Sequence, residues 1–213
     1  MIAKPAKLTL SGIVILFAIL ISAYAVSYFS FSQTDFLRNK DAAVVGNLLW
    51  KLPFYMHVGF GAIALFIGGF QFIEPLRDRY TDLHRLAGKV YVISVFAASI
   101  TAFAVAPFAE GGIVAKLGFV GLAAAWFVTD YKAYTAIRRG NILSHRKWMI
   151  RNYALTFAAV TLRIWLPLEL AVIGMNFPDA YRVVSWACWV PNLLVAELLV
   201  SRLAGSEPNQ EPF

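Results

Sequence analysis

The sequence predicts an all-α integral membrane protein, a polytopic bundle of about six transmembrane helices with both termini in the cytoplasm. Three observations carry that prediction. The 213 residues are 60% hydrophobic and only 15% charged, with a mean hydropathy of +0.66, whereas soluble chains have roughly 45–50% apolar and about 25% charged residues. The apolar residues are gathered into runs long enough to cross a bilayer rather than spread through the chain. The basic residues collect in alternate loops, on one side of those runs.

A transmembrane helix needs about 20 mostly apolar residues, and six windows qualify: 8–31, 54–76, 90–109, 114–136, 152–174 and 183–203. The first resembles a signal peptide, with Lys4 and Lys7 ahead of the run and Ala23-Tyr24-Ala25 like a cleavage site. The run continues through Val26, Tyr28, Phe29 and Phe31, so an uncleaved anchor is expected. In the loop 33–53, Val44, Val45, Leu48, Leu49 and Leu52 recur at helical spacing, with Asp41 as cap and Pro53 as stop. This predicts a short amphipathic helix at the outer interface, a covering lid with Trp50 at headgroup depth. Windows two to five carry Gly59, Gly61, Gly68, Gly69, Gly118, Gly121, Ala123, Ala124 and Ala125, small residues that let helices approach closely. The tail 206–213 is polar and proline-containing and reads as disordered, so 1–205 is expected to form a single bundle domain.

Orientation follows from the basic residues. Lys4, Lys7, Arg77, Arg79, Arg85, Lys89, Arg138, Arg139, Arg146, Lys147, Arg151 and Arg202 fall on one side, against Arg38, Lys40, Lys51, Lys116 and Arg182 on the other. The richer side faces the cytoplasm. The same distribution explains the net charge of +7 without nucleic acid, since no basic stripe lies on a soluble fold. The expected partner is the lipid bilayer, of the bacterial inner membrane, with a homo-oligomer or a larger membrane complex as further options. Cys188 is the lone cysteine, so no internal disulfide forms.

Two segments repeat. Leu76-Arg77 and His84-Arg85 bracket six residues, as do Ile137-Arg138 and His145-Arg146, at an offset of 61, and a tyrosine follows each (Tyr91, Tyr153). Helices two and three would then be one hairpin and helices four and five a copy in the same orientation, related by an axis along the membrane normal. Such an arrangement puts His84 and His145 at equivalent places near a pseudo-twofold axis, where two neutral imidazoles can hold a haem iron. The alternative is an interfacial His-Arg pair bonded to lipid headgroups, and b-type haem in helical bundles sits deeper than the edge of the membrane.

Ionisable residues inside a span cost at least ~2.5–3.5 kcal/mol to insert and mark candidate sites. Arg163 lies near mid-depth of helix five and must pair or line a wet cavity; Asn192, beside Pro191, is at similar depth in helix six. Carbonyls freed by Pro191 or Pro167 are an alternative partner for it. His57 enters helix two at the depth where Glu169 leaves helix five, so the two could form a proton-relaying pair; the alternative is a histidine hydrogen-bonded at the interface. Glu74, Asp130, Lys132 and Glu197 lie in the cytoplasmic quarter, Asp130 and Lys132 as members of a satisfied inner layer. These carboxylates with His84 and His145 could form a metal site, although no His-x₃-His spacing is present. No nucleotide loop, dinucleotide fingerprint, nucleophile elbow or paired-cysteine motif occurs, so no reaction is named and enzymatic activity is left open.

The stretch His57 to Gln71, the string His84-Arg85-Leu86-Ala87-Gly88-Lys89-Val90-Tyr91, Trp126, the string His145-Arg146-Lys147-Trp148-Met149-Ile150-Arg151-Asn152-Tyr153-Ala154 and Leu162-Arg163 together resemble the bacterial membrane proteins of domain of unknown function 2306, over about 55–170. That resemblance implies a multi-pass inner-membrane protein and assigns no catalytic residue. His-Arg-x-x-Gly is also similar to b-type cytochromes and ferric reductases, although this chain lacks their several mid-helix histidines. The functional expectation is a redox or cofactor-handling membrane protein with haem b, a quinone or a metal held by His84, His145 and His57. The alternatives are a small proton-coupled carrier built on Arg163, His57 and Glu169, or a non-catalytic subunit or assembly factor. Alkaline phosphatase fused within 33–53 or at Glu110 should be active, and fused after Arg139 or at the C-terminus inactive; the reverse pattern would overturn the orientation.

Overall fold

The computed structural model describes residues 4–30, 37 and 40–204. The expected tail 206–213 and much of the loop 33–53 up to residue 39 lie outside the described residues. Every regular element among those described is helical: α1 (Lys4–Val26), α2 (Ala42–Gly46), α3 (Leu48–Phe70), α4 (Glu74–Arg79), α5 (Thr81–Val105), α6 (Gly112–Arg138), α7 (Ile142–Thr156), α8 (Ala158–Ala171), α9 (Phe177–Ala187) and α10 (Val190–Ala204), with 3₁₀ turns at Ser27–Ser30 and Ala106–Phe108. Six segments are long and apolar enough to cross a membrane: Ser11–Phe29, Leu48–Phe70, Thr81–Phe108, Gly112–Arg138, Ile142–Ala171 and Phe177–Leu203.

The third and fifth spans begin earlier than hydropathy alone predicts, because their first turns are polar but helix-forming. Asn141 caps α7 by accepting from the Ser144 amide at 2.8 Å, and Asp82 complements the dipole in the first turn of α5. His84 and His145 are each the fourth residue of their helix. Asp41 does cap a short helix, accepting from the Ala43 amide at 2.9 Å. Pro53 does not stop it. Asn47 starts α3 by accepting from the Leu49 amide, so Pro53 falls within the first turns of the second span. Trp50 accordingly faces inward, 1% exposed and stacked on Phe54 at 4.8 Å.

Neighbouring spans alternate in direction. Ser22 donates to the Ala62 carbonyl, and Gly69 lies beside Ile15 and Ala18, which sets α1 antiparallel to α3. His57 meets Ala98 while Gly68 meets Tyr91, which sets α3 antiparallel to α5, its most extensive neighbour. In the same way Thr129 meets Asn152 and Ala133 meets His145 across α6 and α7. The sixth span runs parallel to α6, with Gly111 against Arg182 and Val114 against Trp186. The turns 71–80 and 139–141 and both ends of the described chain therefore share one rim, the basic one.

Spans five and six are each broken in two. Thr156 turns its hydroxyl back onto the Asn152 carbonyl at 3.0 Å, just before the helix resets at Phe157. The sixth span breaks ahead of Pro191, and the Cys188 carbonyl that the break leaves free is taken by Thr161 Oγ1 and by Asn192 Nδ2. Close helix contact depends on two glycines. A Cβ on Gly68 would stand 2.6 Å from both the Tyr91 and Tyr153 rings, and one on Gly118 would stand 2.9 Å from the Ser185 carbonyl oxygen. Gly118→Ala should therefore cost about 1–3 kcal/mol, as overpacking does, and lower the thermal midpoint in detergent. Gly121→Ala, whose Cβ would meet only Trp189 at 3.5 Å, should leave it unchanged.

Candidate functional site

Between α1, α3, α5, α6 and α8 lies a cavity of about 650 Å³. Its wall is mostly aliphatic and aromatic, with Tyr24, Trp50, Phe54, Trp126 and Tyr181 among the rings. Polar groups are few, as in most small-molecule sites: His57, Arg163 and Thr156 deep in the bundle, and Lys40 at the end away from the basic rim.

Arg163 is held by its own helix. Nη1 donates to the Ala159 carbonyl at 2.7 Å, and the guanidinium carbon lies 5.4 Å from the centre of the Tyr24 ring, with the Tyr28 hydroxyl beside it. No carboxylate among the described residues comes within ion-pair distance of it. Asn192, expected as its neighbour by depth, is elsewhere: its Nδ2 donates to Ala154, Thr161 and Cys188. Thr161 and Arg163 are two residues apart on a helix and point to opposite sides, so matching depth did not imply matching faces.

His57 is half-buried. Its Nδ1 lies 3.0 Å from the Ala98 carbonyl, which can only accept, so in the uncharged ring Nδ1 carries the proton and Nε2 the lone pair. Its ring stands edge-on to Trp126 at 6.3 Å. The possible pair with Glu169 is not made: Glu169 is 3% exposed at the end of α8, and among the described residues its Oε2 has no partner.

Below the cavity a hydrogen-bonded knot ties α5, α6 and α7. Tyr91 donates to Asn152 Oδ1 at 2.6 Å and meets Thr156 Oγ1 at 2.9 Å. Asn152 Nδ2 donates to Thr129 Oγ1 at 2.9 Å and to the Trp126 carbonyl at 3.0 Å, while Trp126 Nε1 donates to Thr156 Oγ1 at 2.9 Å. Tyr91 and Asn152 are 61 residues apart, the offset of the repeated segments. The sequence does not mark this cluster as a site; its members are uncharged, and the one available signal was that Tyr91, Trp126 and Asn152 stand among the family-like residues. Asp130, expected in a satisfied layer, is 0% exposed with both oxygens unpartnered.

At the basic rim, His145 Nδ1 lies 2.9 Å from the Ala133 carbonyl, and His84 is within electrostatic reach of His145, Arg77 and Arg85. Glu197 is bound in a bidentate pair by Arg151 at 2.6 and 2.7 Å, which fastens α10 to α7. Glu74 lies 3.6 Å from Arg146, and Lys132 sits 5.0 Å from the Trp148 ring centre. Among the described residues no three His, Cys, Asp or Glu side chains are grouped closely enough to hold a metal ion. Tyr91→Phe removes the donor to Asn152 Oδ1 inside the bundle and should cost about 1–3 kcal/mol, read as an earlier unfolding transition in mixed detergent.

No curated protein and no solved structure matches the chain. A family model described as "Predicted membrane protein (DUF2306)" matches residues 54–200. The match runs from α3 to α10, past the 55–170 stretch that carried the resemblance, and takes in the cavity residues His57 and Arg163, the knot and the sixth span. By that match, the chain belongs to the DUF2306 family of membrane proteins.

Proposed function

We propose that this protein handles a cofactor within the membrane, holding an apolar molecule with an electron-rich head, of the quinone class, against Arg163 and His57. The observation that carries this reading is Arg163, a guanidinium in the wall of an apolar cavity with no carboxylate to neutralise it. A charge at such depth is expensive unless something compensates it, and only one of its donors is spent on a carbonyl. The remaining N–H groups suit a quinone carbonyl, and the Nε2 lone pair of His57 suits the hydroxyl of the reduced form. The cavity volume of about 650 Å³ is within the range of roughly 300–1,000 Å³ typical of cofactor sites.

A quinone is favoured over haem because His57 is the one histidine on the cavity wall, whereas His84 and His145 stand at the basic rim. The same Arg163 supports a second reading, a proton-coupled carrier for a small organic anion. The basic bias supports placing the rim of His84 and His145 in the cytoplasm, with the chain in a bacterial inner membrane. The contact between Tyr91 and Asn152 supports a duplicated hairpin, since residues at equivalent positions meet near the axis that relates two copies.

Trp50 and Trp126 line the cavity, so tryptophan fluorescence reports on its contents. Titration with decylubiquinone should quench it saturably, and Arg163→Leu and His57→Ala should each weaken binding tenfold or more. A linear, non-saturating response from folded, monodisperse wild-type protein would overturn the quinone reading. A Soret band after haem supplementation, lost in His57→Ala or His145→Ala, would replace it with haem. A saturable change in the same fluorescence on adding a short carboxylate, with none on adding quinone, would replace it with the carrier.

A further inference from the structure

The carboxyl of Asp130 has no role in the packing described above. It is 0% exposed, and among the described residues neither oxygen has a hydrogen-bond partner and no cation lies within ion-pair distance. An isolated carboxylate buried in this way costs several kcal/mol even after relaxation, which a bound proton removes. A structural aspartate would have been given donors, as Asp41 has been.

Its position matters as much as its isolation. Asp130 is one helical turn from Trp126 towards the basic rim and adjacent to Thr129, so it lies directly beside the knot. It is close enough to Tyr91 for the two to interact electrostatically. The ionisable groups nearest it are Tyr91 on α5 and, one turn nearer the rim, His145, which hangs from the Ala133 carbonyl with His84 within electrostatic reach. On the other side, Tyr91 touches Thr156, and Thr156 lines the cavity.

We propose that Asp130 is a proton-exchange site that connects the basic rim to the cavity through the hydroxyls of Tyr91 and Thr156. The rim histidines supply the proton. Rotation of the Asp130 side chain must first bring its O–H to the Tyr91 oxygen. As an O–H bond then breaks at Asp130, one forms at Tyr91; the Tyr91 proton, turned from Asn152 towards Thr156, passes to Thr156. Thr156 releases into the cavity the proton it directs at the Asn152 carbonyl in the resting structure. One proton enters, one leaves, and no charge is stranded. This assignment extends the quinone reading, since reduction of a quinone consumes protons that must reach the cavity.

Infrared spectroscopy of the protein in liposomes tests the site without any ligand. Wild type should show a carboxylic-acid C=O band that shifts on exchange into D₂O, and Asp130→Asn should lack it. Asp130→Glu, which should move the band instead of deleting it, provides the assignment if the Asn variant does not fold. Asp130 takes up deuterium from the rim, so the double variant His84→Ala/His145→Ala should retain the band and slow its deuteration at least tenfold, while Tyr91→Phe, on the cavity side of Asp130, should retain both band and rate. An identical band in Asp130→Asn and wild type, or no band in wild type, overturns the protonated site, and unchanged deuteration in the double histidine variant, or slowed deuteration in Tyr91→Phe, overturns the relay. Asp130→Asn should bind decylubiquinone with wild-type affinity. Failure of every variant to bind it would count against the quinone alone and leave the infrared result standing.

Discussion

A bilayer offers no water to a polar group, so every N–H, C=O and side-chain donor at depth must find its partner within the protein. In this bundle that demand is concentrated on Asn152. Its amide joins Tyr91 of α5 to Thr129 and the Trp126 carbonyl of α6, and its own carbonyl receives Thr156. Remove that side chain and several buried donors and acceptors lose partners together, which is why such networks are costly to leave half made. The break between α7 and α8 belongs to the same knot, because the Thr156 hydroxyl that closes it is also the one that turns back on the helix.

Closure of the bundle around the knot requires small residues at defined points. Gly68 admits the rings of Tyr91 and Tyr153 against α3, and Gly118 lets α6 lie on the backbone of α9. Lipid is as apolar as the helices, so close packing and internal hydrogen bonds take the part that water expulsion plays in a soluble core. The helix break also offsets α8 from α7. Arg163 is thereby turned towards α1 and the cavity, while Thr161 and Asn192 satisfy the carbonyl opened in the sixth span.

The polar groups then fall into levels along the bundle. Arg163 and His57 stand at the cavity, Tyr91, Asn152 and Thr156 below it, Asp130 beside these, and His145 and His84 at the basic rim. Two of the histidines hang by Nδ1 from backbone carbonyls, an attachment that leaves Nε2 in the uncharged ring as an acceptor. Fully bonded levels alternate with incompletely bonded ones. The incompletely bonded ones are where a ligand or a proton has something to gain.

Composition and run length were sufficient to establish a helical membrane protein with six spans, because both depend only on what a chain must present to lipid. Local rules also located the Asp41 cap and picked out Arg163, His57 and Asp130, since a charge in an apolar run is visible without a fold. Hydropathy misplaced the starts of the third and fifth spans, whose polar first turns are helical nonetheless, and took Pro53 for a stop where Asn47 had already begun the helix. Depth along a helix can be counted from sequence; the direction a side chain faces and the helix opposite it cannot. Tertiary structure therefore decided that Asn192 serves Thr161 and Cys188 instead of Arg163, that His57 bonds Ala98 instead of Glu169, and that Asp130 has no partner. It also decided that Tyr91, Asn152 and Thr156, uncharged residues from separate helices, meet at one point.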